Sequence, residues 1–351
     1  MHRRPSSAAR RRLLSLAVAV SLTAVACGAV GANGGDQATD EVPFAEGSRV
    51  GTGARAGAAP SGADGVPVGV AVKGSDPDTL AELVDTTGVE PGVVRVFARW
   101  DTPFPGDNHR ALLDAGYPIH LSVRPRTDGG VTIPWAELAT APDDDRRIVE
   151  LRAWLETVAA YDGQIRFTLN HEPETTDSAA NGTAEDFVGA WRRMVEIRDE
   201  VADAETVPAV FVITRGTYAN GSVDRWYPGD DVVDLIGVDA YNWYTCQGTD
   251  RAWIDPEPLL APALAFAVER GKPLAVGEIG STEDPTDPSR KADWIDALAA
   301  YLHTEAAAEH IAFVAWFSVH DRGWPDCNWA YDSSPLSIEA FSRLLGAPAD
   351  D

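Results

Sequence analysis

Positive charge is scarce in this chain: 29 Lys and Arg stand against 54 Asp and Glu, a net charge of −25 over 351 residues. An anion of this kind is repelled by phosphate backbones and anionic lipid headgroups, which excludes nucleic acid and favours a neutral or cationic ligand. Cysteine is nearly absent, at three residues, and no Cys-x-x-Cys or His-x-x-x-His spacing accompanies them, which argues against a zinc site. Gly-x-Ser-x-Gly nucleophile elbows, Gly-x-x-x-x-Gly-Lys phosphate cradles and dinucleotide fingerprints are missing too, so no cofactor is implied. Repeats of 20 to 50 residues are not visible, which makes a solenoid an unlikely architecture. What is present is ordinary for a globular protein, 44% hydrophobic and 24% charged residues, and excludes disorder of the whole chain.

The basic residues that do occur are unevenly placed. Arg3, Arg4, Arg10, Arg11 and Arg12 precede the apolar run Leu13 to Ala26, the layout of an export signal, and that run is too short to span a bilayer permanently. Loss of the segment would take the net charge from −25 to −30. Ala24-Val25-Ala26-Cys27 reads either as a small-residue cleavage site or as a lipobox with Cys27 lipidated. Residues 1–26 are therefore the expected signal peptide, and the protein is expected to be secreted or held on the outer face of the cell membrane by a lipid anchor. Residues 27–64, rich in Gly, Ala and Ser without apolar periodicity, are expected to form a flexible tether. With Cys27 set aside, Cys246 and Cys327 remain as an even pair in an oxidising compartment, where a disulfide is the default.

From Val66 onward short β-branched runs alternate with longer amphipathic stretches, the pattern of β-α units. Strand-like runs span Val66 to Val72, Val93 to Ala98, Pro118 to Val123, Gln164 to Leu169, Val207 to Ile213, Val233 to Asp239, Pro273 to Gly277 and Ile311 to Phe317. Helical patterns include Pro77 to Thr87, Asp145 to Tyr161, Ala184 to Val201, Pro258 to Arg270, Arg290 to Glu305 and Ser337 to Leu345. The fifth unit is irregular, with room for only a short helix. Eight β-α units over residues 65–348 predict a single (β/α)8 TIM barrel, an α/β fold, although periodicity alone leaves an open doubly wound sheet in play.

In such a barrel chemistry sits just past the strand C-termini. The fourth run leads into Asn170-His171-Glu172-Pro173-Glu174 and the seventh into Gly277-Glu278-Ile279-Gly280. A glutamate at the end of an apolar strand costs several kcal/mol unless neighbours or function compensate, so two of them mark a site. Strands four and seven face one another, and carboxyl groups about 5 to 5.5 Å apart are what a retaining glycosidase needs. An arginine such as Arg95, Arg99 or Arg124 could instead pair with either acid as a purely structural feature. Glu174 is a minor alternative for the acid role. Tryptophan is abundant, at 11 residues, and Trp100, Trp243, Tyr244, Trp253, Trp316, Trp324 and Trp329 all fall at or after strand ends, where indole faces can stack on sugars or simply fill the core. His320-Asp321 is a weak candidate for a dyad or metal ligand, since adjacent residues in an extended segment point apart. Asn181-Gly182-Thr183 and Asn220-Gly221-Ser222 match a glycosylation sequon that occurs often by chance.

The ordered set of these motifs resembles glycoside hydrolase family 26, retaining β-glycanases that include β-mannanases. His171-Glu172 is similar to that family's His-Glu pair, with Glu172 in the acid/base place. The helix from Gly182 to Arg192, the Tyr-Pro-Gly-Asp segment at Tyr227 to Asp230 and Gly237-Val238-Asp239-Ala240-Tyr241-Asn242 follow in order. The resemblance implies that Tyr241 orients the nucleophile, that Glu278 within Lys272 to Ser281 is that nucleophile, and that Trp316 is the sugar platform on strand eight. His171 would orient the acid/base and bind substrate together with Tyr241, Trp316 and Trp243. Pro173-Glu174-Thr175-Thr176-Asp177 departs from the Met-Asn-Gly stretch usual after His-Glu in the family. The expectation is therefore a monomeric glycosidase, an endo-β-mannanase or related β-glycanase without metal or cofactor. Its substrate would be a β-linked polysaccharide or oligosaccharide such as β-mannan or β-glucan. The alternative is a barrel that binds carbohydrate without turning it over.

Overall fold

The computed structural model describes residues 65–246, 251–319 and 327–346. The signal segment, the tether with Cys27, and His320, Asp321 and Trp324 lie outside the described residues.

Every strand-like run becomes a strand: β1 Val68–Val72, β2 Val94–Arg99, β3 Ile119–Arg124, β4 Ile165–Leu169, β5 Val210–Thr214, β6 Leu235–Asn242, β7 Leu274–Ser281 and β8 Ile311–Ser318. Neighbours pair in parallel in the order β4-β3-β2-β1-β8-β7-β6-β5. The first strand pairs with the last, and the two ends of that order meet at a bridge between Phe167 and Ala209, where the Phe167 amide donates to the Pro208 carbonyl at 2.8 Å. The sheet is thus a closed (β/α)8 barrel, which settles the choice against an open doubly wound sheet. Strands buried on both faces need β-branched and apolar residues throughout, and β5, Val-Phe-Val-Ile-Thr, meets this requirement.

The helices start and stop where side-chain chemistry directs. Asp76 accepts from the Asp78 amide to cap α1 (Pro77–Thr87), which ends at Gly88 in the left-handed region at φ 74°, a conformation that favours glycine. Thr183 and Asp186 form a reciprocal capping box on α5 (Ala184–Val201). Between these lie α2 (Asp107–Asp114), α3 (Trp135–Thr140) and α4 (Arg146–Ala159). After them come α6 (Arg215–Ala219), α7 (Pro256–Glu269), α8 (Arg290–Leu302), α9 (Glu305–His310) and α10 (Pro335–Leu345). The fifth unit holds only α6 and a 3-10 turn at Val223–Arg225, as its Gly- and Asn-rich composition predicts.

Three apolar clusters result, the smallest of them Ala71, Cys246, Phe317, Cys327 and Trp329. The largest lies between sheet and helices and contains Trp135, Trp191, Trp294 and Trp316, all fully buried. A smaller one, Val93, Val210, Val212, Leu235, Ala275, Phe313 and Ala315, draws on several strands and fills the barrel interior. Above that plug the interior turns polar.

Candidate active site

Strand β2 reads Val-Arg-Val-Phe-Ala-Arg, and its Arg95 is fully buried. A buried guanidinium inside an apolar strand demands partners. Arg95 Nη1 donates to the His120 carbonyl at 3.3 Å and Nη2 lies 3.8 Å from Glu278 Oε1, an ion pair shielded from solvent. His120 Nε2 meets Thr168 Oγ1 at 2.9 Å, and that hydroxyl donates to the Val210 carbonyl at 2.8 Å. Burial first, then the positive charge of Arg95, holds His120 well below the usual imidazole range, so it is neutral.

Glu278 lies within β7, opposite Asp239 of β6, where the register between these strands shifts. It is buried; Tyr241 Oη donates to its Oε2. Burial pushes the Glu278 carboxyl up, while Arg95, the Tyr241 hydrogen bond and Arg124 push it back. Glu172 follows β4 on a strained turn: Asn170 and Glu172 take φ of 53° and 49°, left-handed values that cost about 1–3 kcal/mol each in non-glycine residues. The turn is held by the Glu172 amide donating to the Val212 carbonyl at 3.0 Å, by Thr175 Oγ1 donating to the Glu172 carbonyl at 2.9 Å, and by Asn170 Nδ2 donating to Ser178 Oγ at 3.0 Å. Burial, then the charges of Glu278 and Glu174, raise Glu172 well above the carboxylate range, with Arg124 opposing. The two carboxyls are therefore unequal: one keeps its proton, and the other has a cation and a hydroxyl donor supporting its anion. Such a pair can deliver a proton and offer a nucleophilic or basic oxygen at one barrel mouth.

A third carboxyl completes the group. Asp239 is 2% exposed, neither of its oxygens has a hydrogen-bond partner among the described residues, and burial followed by the charges of Glu278 and Glu172 raises it well above the carboxylate range. Gly277 leaves room for it, because a Cβ there would stand 2.8 Å from Asp239 Oδ1. Sequence reasoning gave no role to Asp239 and treated Arg95 only as a structural ion partner. Its signal was available, since a charged residue in the middle of an apolar strand is the same clue that singled out Glu278.

The other expected site residues separate. Tyr241 touches Glu278, and its ring packs 4.7 Å from Trp329 and 5.6 Å from Trp243, which is partly exposed. His171 is neutral, held well below the imidazole range by burial and then by Arg95 and Arg124, and rests on Phe97 at 5.3 Å. It makes no hydrogen bond to either glutamate among the described residues. Trp316 is a correction: it is fully buried, packs on Trp294 and Phe341 of the helical layer, and donates from Nε1 to the Trp329 carbonyl at 2.8 Å. Its ring points away from the barrel axis and cannot be a sugar platform. The next residue, Phe317, has the inward face and meets Phe97 and Tyr241. Glu174 turns aside, its Oε1 accepting from the Thr214 amide at 2.7 Å, Thr214 Oγ1 at 2.6 Å and Thr217 Oγ1 at 3.1 Å.

Two fasteners hold the aromatic side of the mouth. Cys246, just after β6, and Cys327, after β8, are bridged, with Cα atoms 4.8 Å apart. Lys291 on α8 is fully buried and donates from Nζ to the Ala330 carbonyl at 2.8 Å and Ser333 Oγ at 2.7 Å, fixing the segment that carries Trp329. Burial lowers this amine to about 8. Among the described residues no group of three His, Cys, Asp or Glu side chains is placed to share a metal ion.

No protein-family model matches the chain. Two curated proteins are similar over part of it: Endoglucanase H of Acetivibrio thermocellus, 29% identical over 171 residues, 48% of this chain and 18% of that protein, and Mycothiol acetyltransferase of Mycolicibacterium vanbaalenii, 29% identical over 178 residues, 47% of this chain and 53% of that protein. The chain thus spans about a fifth and about half the length of these relatives. Among solved structures, a modular endo-β-1,4-mannanase from Cellulomonas fimi, described as a glycoside hydrolase family 26 mannanase, superposes with a TM-score of 0.58 at 21% identity, over 81% of this chain and 71% of that one. A family 26 β-mannanase from Bacteroides ovatus gives 0.55 at 15% identity, over 82% of this chain and 90% of that one. These structures share the fold, and theirs is the family that the ordered motifs resemble.

Proposed function

We propose that this chain is a retaining glycoside hydrolase of the family 26 type that cleaves β-linked polysaccharide. The observation that carries the reading is the unequal pair: Glu172, raised well above the carboxylate range on a strained strand end, and Glu278, whose anion is supported by Arg95 and Tyr241. Glu172 donates its proton to the glycosidic oxygen as Glu278 attacks the anomeric carbon, so the bond to the leaving sugar breaks and a glycosyl ester forms. Glu172, now ionised, takes a proton from water. That water attacks the anomeric carbon and frees Glu278, restoring both protonation states. The mannanase neighbours and the endoglucanase relative favour a β-mannan or β-glucan as the substrate, and the exposed edge of Trp243 beside Tyr241 and Trp329 is the stacking surface in place of Trp316. The acetyl transfer named for the second relative has no counterpart in this carboxyl pair. The leader and Cys27 fit a secreted or membrane-anchored protein.

The test is reducing-sugar release on a panel of β-mannans, β-glucans and β-xylans by wild type, Glu172→Gln and Glu278→Gln, with the product anomer followed by proton NMR. Release by wild type alone with the β-anomer formed first supports the reading. Inversion, or full activity in either variant, overturns it. Binding without release by folded wild type points to a carbohydrate-binding barrel.

A further inference from the structure

One carboxylate beside the pair is left unused by this mechanism. Glu174 lies two residues beyond Glu172 in a stretch that departs from the pattern the motifs otherwise follow. It is largely buried, and one oxygen collects three donors from the start of the β5–α6 turn. Its other oxygen is buried without a hydrogen-bond partner among the described residues. Glu172 itself is tied by its amide to Val212, two residues before Thr214 on the same strand. The turn carrying Glu172 is therefore fastened to β5 twice, once through its own backbone and once through the Glu174 carboxylate. Three donors on one oxygen stabilise the ionised form against burial, which pushes the Glu174 carboxyl up.

We infer that Glu174 is a positioning residue for the acid/base: it clamps the Glu172 turn onto β5 and sets a fixed negative charge beside Glu172. This inference rests on the function proposed above. Charges facing Glu172 come from Glu278 on β7, Glu174 and Asp177 on its own segment, and Arg124 on β3; the protonated Asp239 and Tyr241 of β6 and neutral His171 complete its titratable surroundings. Among the described residues Arg124 alone opposes retention of the proton, and the like charge of Glu174 joins burial, Glu278 and Asp177 in keeping Glu172 an acid. The residue that departs from the motif would then tune the pair without touching substrate.

Glu174→Gln is the discriminating variant, because the amide oxygen can still accept from Thr214 and Thr217 while the charge is gone. The side-chain carboxyl carbon of Glu172, assigned by its loss in Glu172→Gln, is titrated by ¹³C NMR in the full chain of wild type and Glu174→Gln. In parallel, kcat/KM is measured against pH. Expected is a titration of Glu172 at lower pH in the variant. The alkaline limb of kcat/KM should move the same way, giving about a threefold to tenfold loss on that limb and little change on the plateau. Glu174→Asp, which keeps the charge but withdraws from Thr214, should restore the limb at a reduced plateau. An unmoved Glu172 titration and limb in Glu174→Gln overturn the inference, as does a Glu174→Asp profile that matches the Gln variant. If wild type hydrolyses nothing, the proposed function fails on its own, and the NMR titration still decides whether Glu174 acts on Glu172.

Discussion

Replacing Asp239 by Asn should make the protein more stable as the pH rises, and the size of the effect follows from burial. Asp239 is 2% exposed, has no hydrogen bond on either oxygen among the described residues, and faces two other carboxyls, so it keeps its proton in the folded state well above the pH at which it would release it when unfolded. An unfolded aspartate ionises near pH 3.9. Above that value the unfolded chain binds fewer protons than the folded one, and stability falls by about 1.4 kcal/mol per pH unit until the folded-state pKa is reached. Asparagine has no proton to exchange and removes this slope. A buried amide brings a pH-independent offset of its own, of about 1–3 kcal/mol if a donor is left unmade. The slope of the difference is therefore the quantity to read. For a domain of this size about 1 kcal/mol is worth roughly 2–4 °C, so the Tm of Asp239→Asn relative to wild type should climb by roughly 3–5 °C per pH unit above pH 4 and then level off. Differential scanning calorimetry from pH 4.5 to 8 at fixed ionic strength measures it. A difference flat across that range, or one that shrinks as pH rises, would show that Asp239 is ionised in the folded protein.

Tyr241→Phe removes a donor that lowers the proton affinity of Glu278, so the acid limb of the kcat/KM profile should move to higher pH while the alkaline limb stays; an unchanged acid limb would refute the role of that hydroxyl. Gly277→Ala drives a Cβ against the Asp239 carboxyl group and should destabilise by about 1–3 kcal/mol, seen as a lower urea midpoint. Replacing Cys246 and Cys327 together by Ser opens a loop of 81 residues and should cost about 4.5 kcal/mol in the chain-entropy account. The same pair of changes should loosen the packing of the Trp329 and Tyr241 rings, seen as a weaker near-ultraviolet circular dichroism signal.

The barrel was legible because its strands are buried on both faces and mostly apolar, which leaves a mark that a half-exposed surface strand would not share. Residues whose identity is fixed by an axial position, Glu278 and Glu172, were legible for the same reason: charge where burial forbids it. Boundaries were less clear. The seventh run was expected to stop at Gly277, yet β7 continues to Ser281, so Glu278 stands within the strand. Trp316 shows where strand-end reasoning alone falls short. Phe313, Ala315 and Phe317 face inward, while Val314 and Trp316 lie in the outer layer, so the period-2 alternation of β8 already set the face that nearness to a strand end could not. The clustering of Asp239, His120 and Arg95 depends on which strands lie across the interior from one another, a relation that chain order does not carry.

The junction of β4 and β5 has a consequence for how the barrel can be watched. Most neighbouring strands share a ladder of several pairs, but here, as between β1 and β2, a single pair and a few hydrogen bonds do the joining, and the amide of Glu172 is one of those bonds. The residue proposed to move the proton is thus also a stitch in the wall. Exchange of that single amide with deuterium reports how often the wall parts, and a glycan chain lying across the mouth should slow it without touching the amide itself.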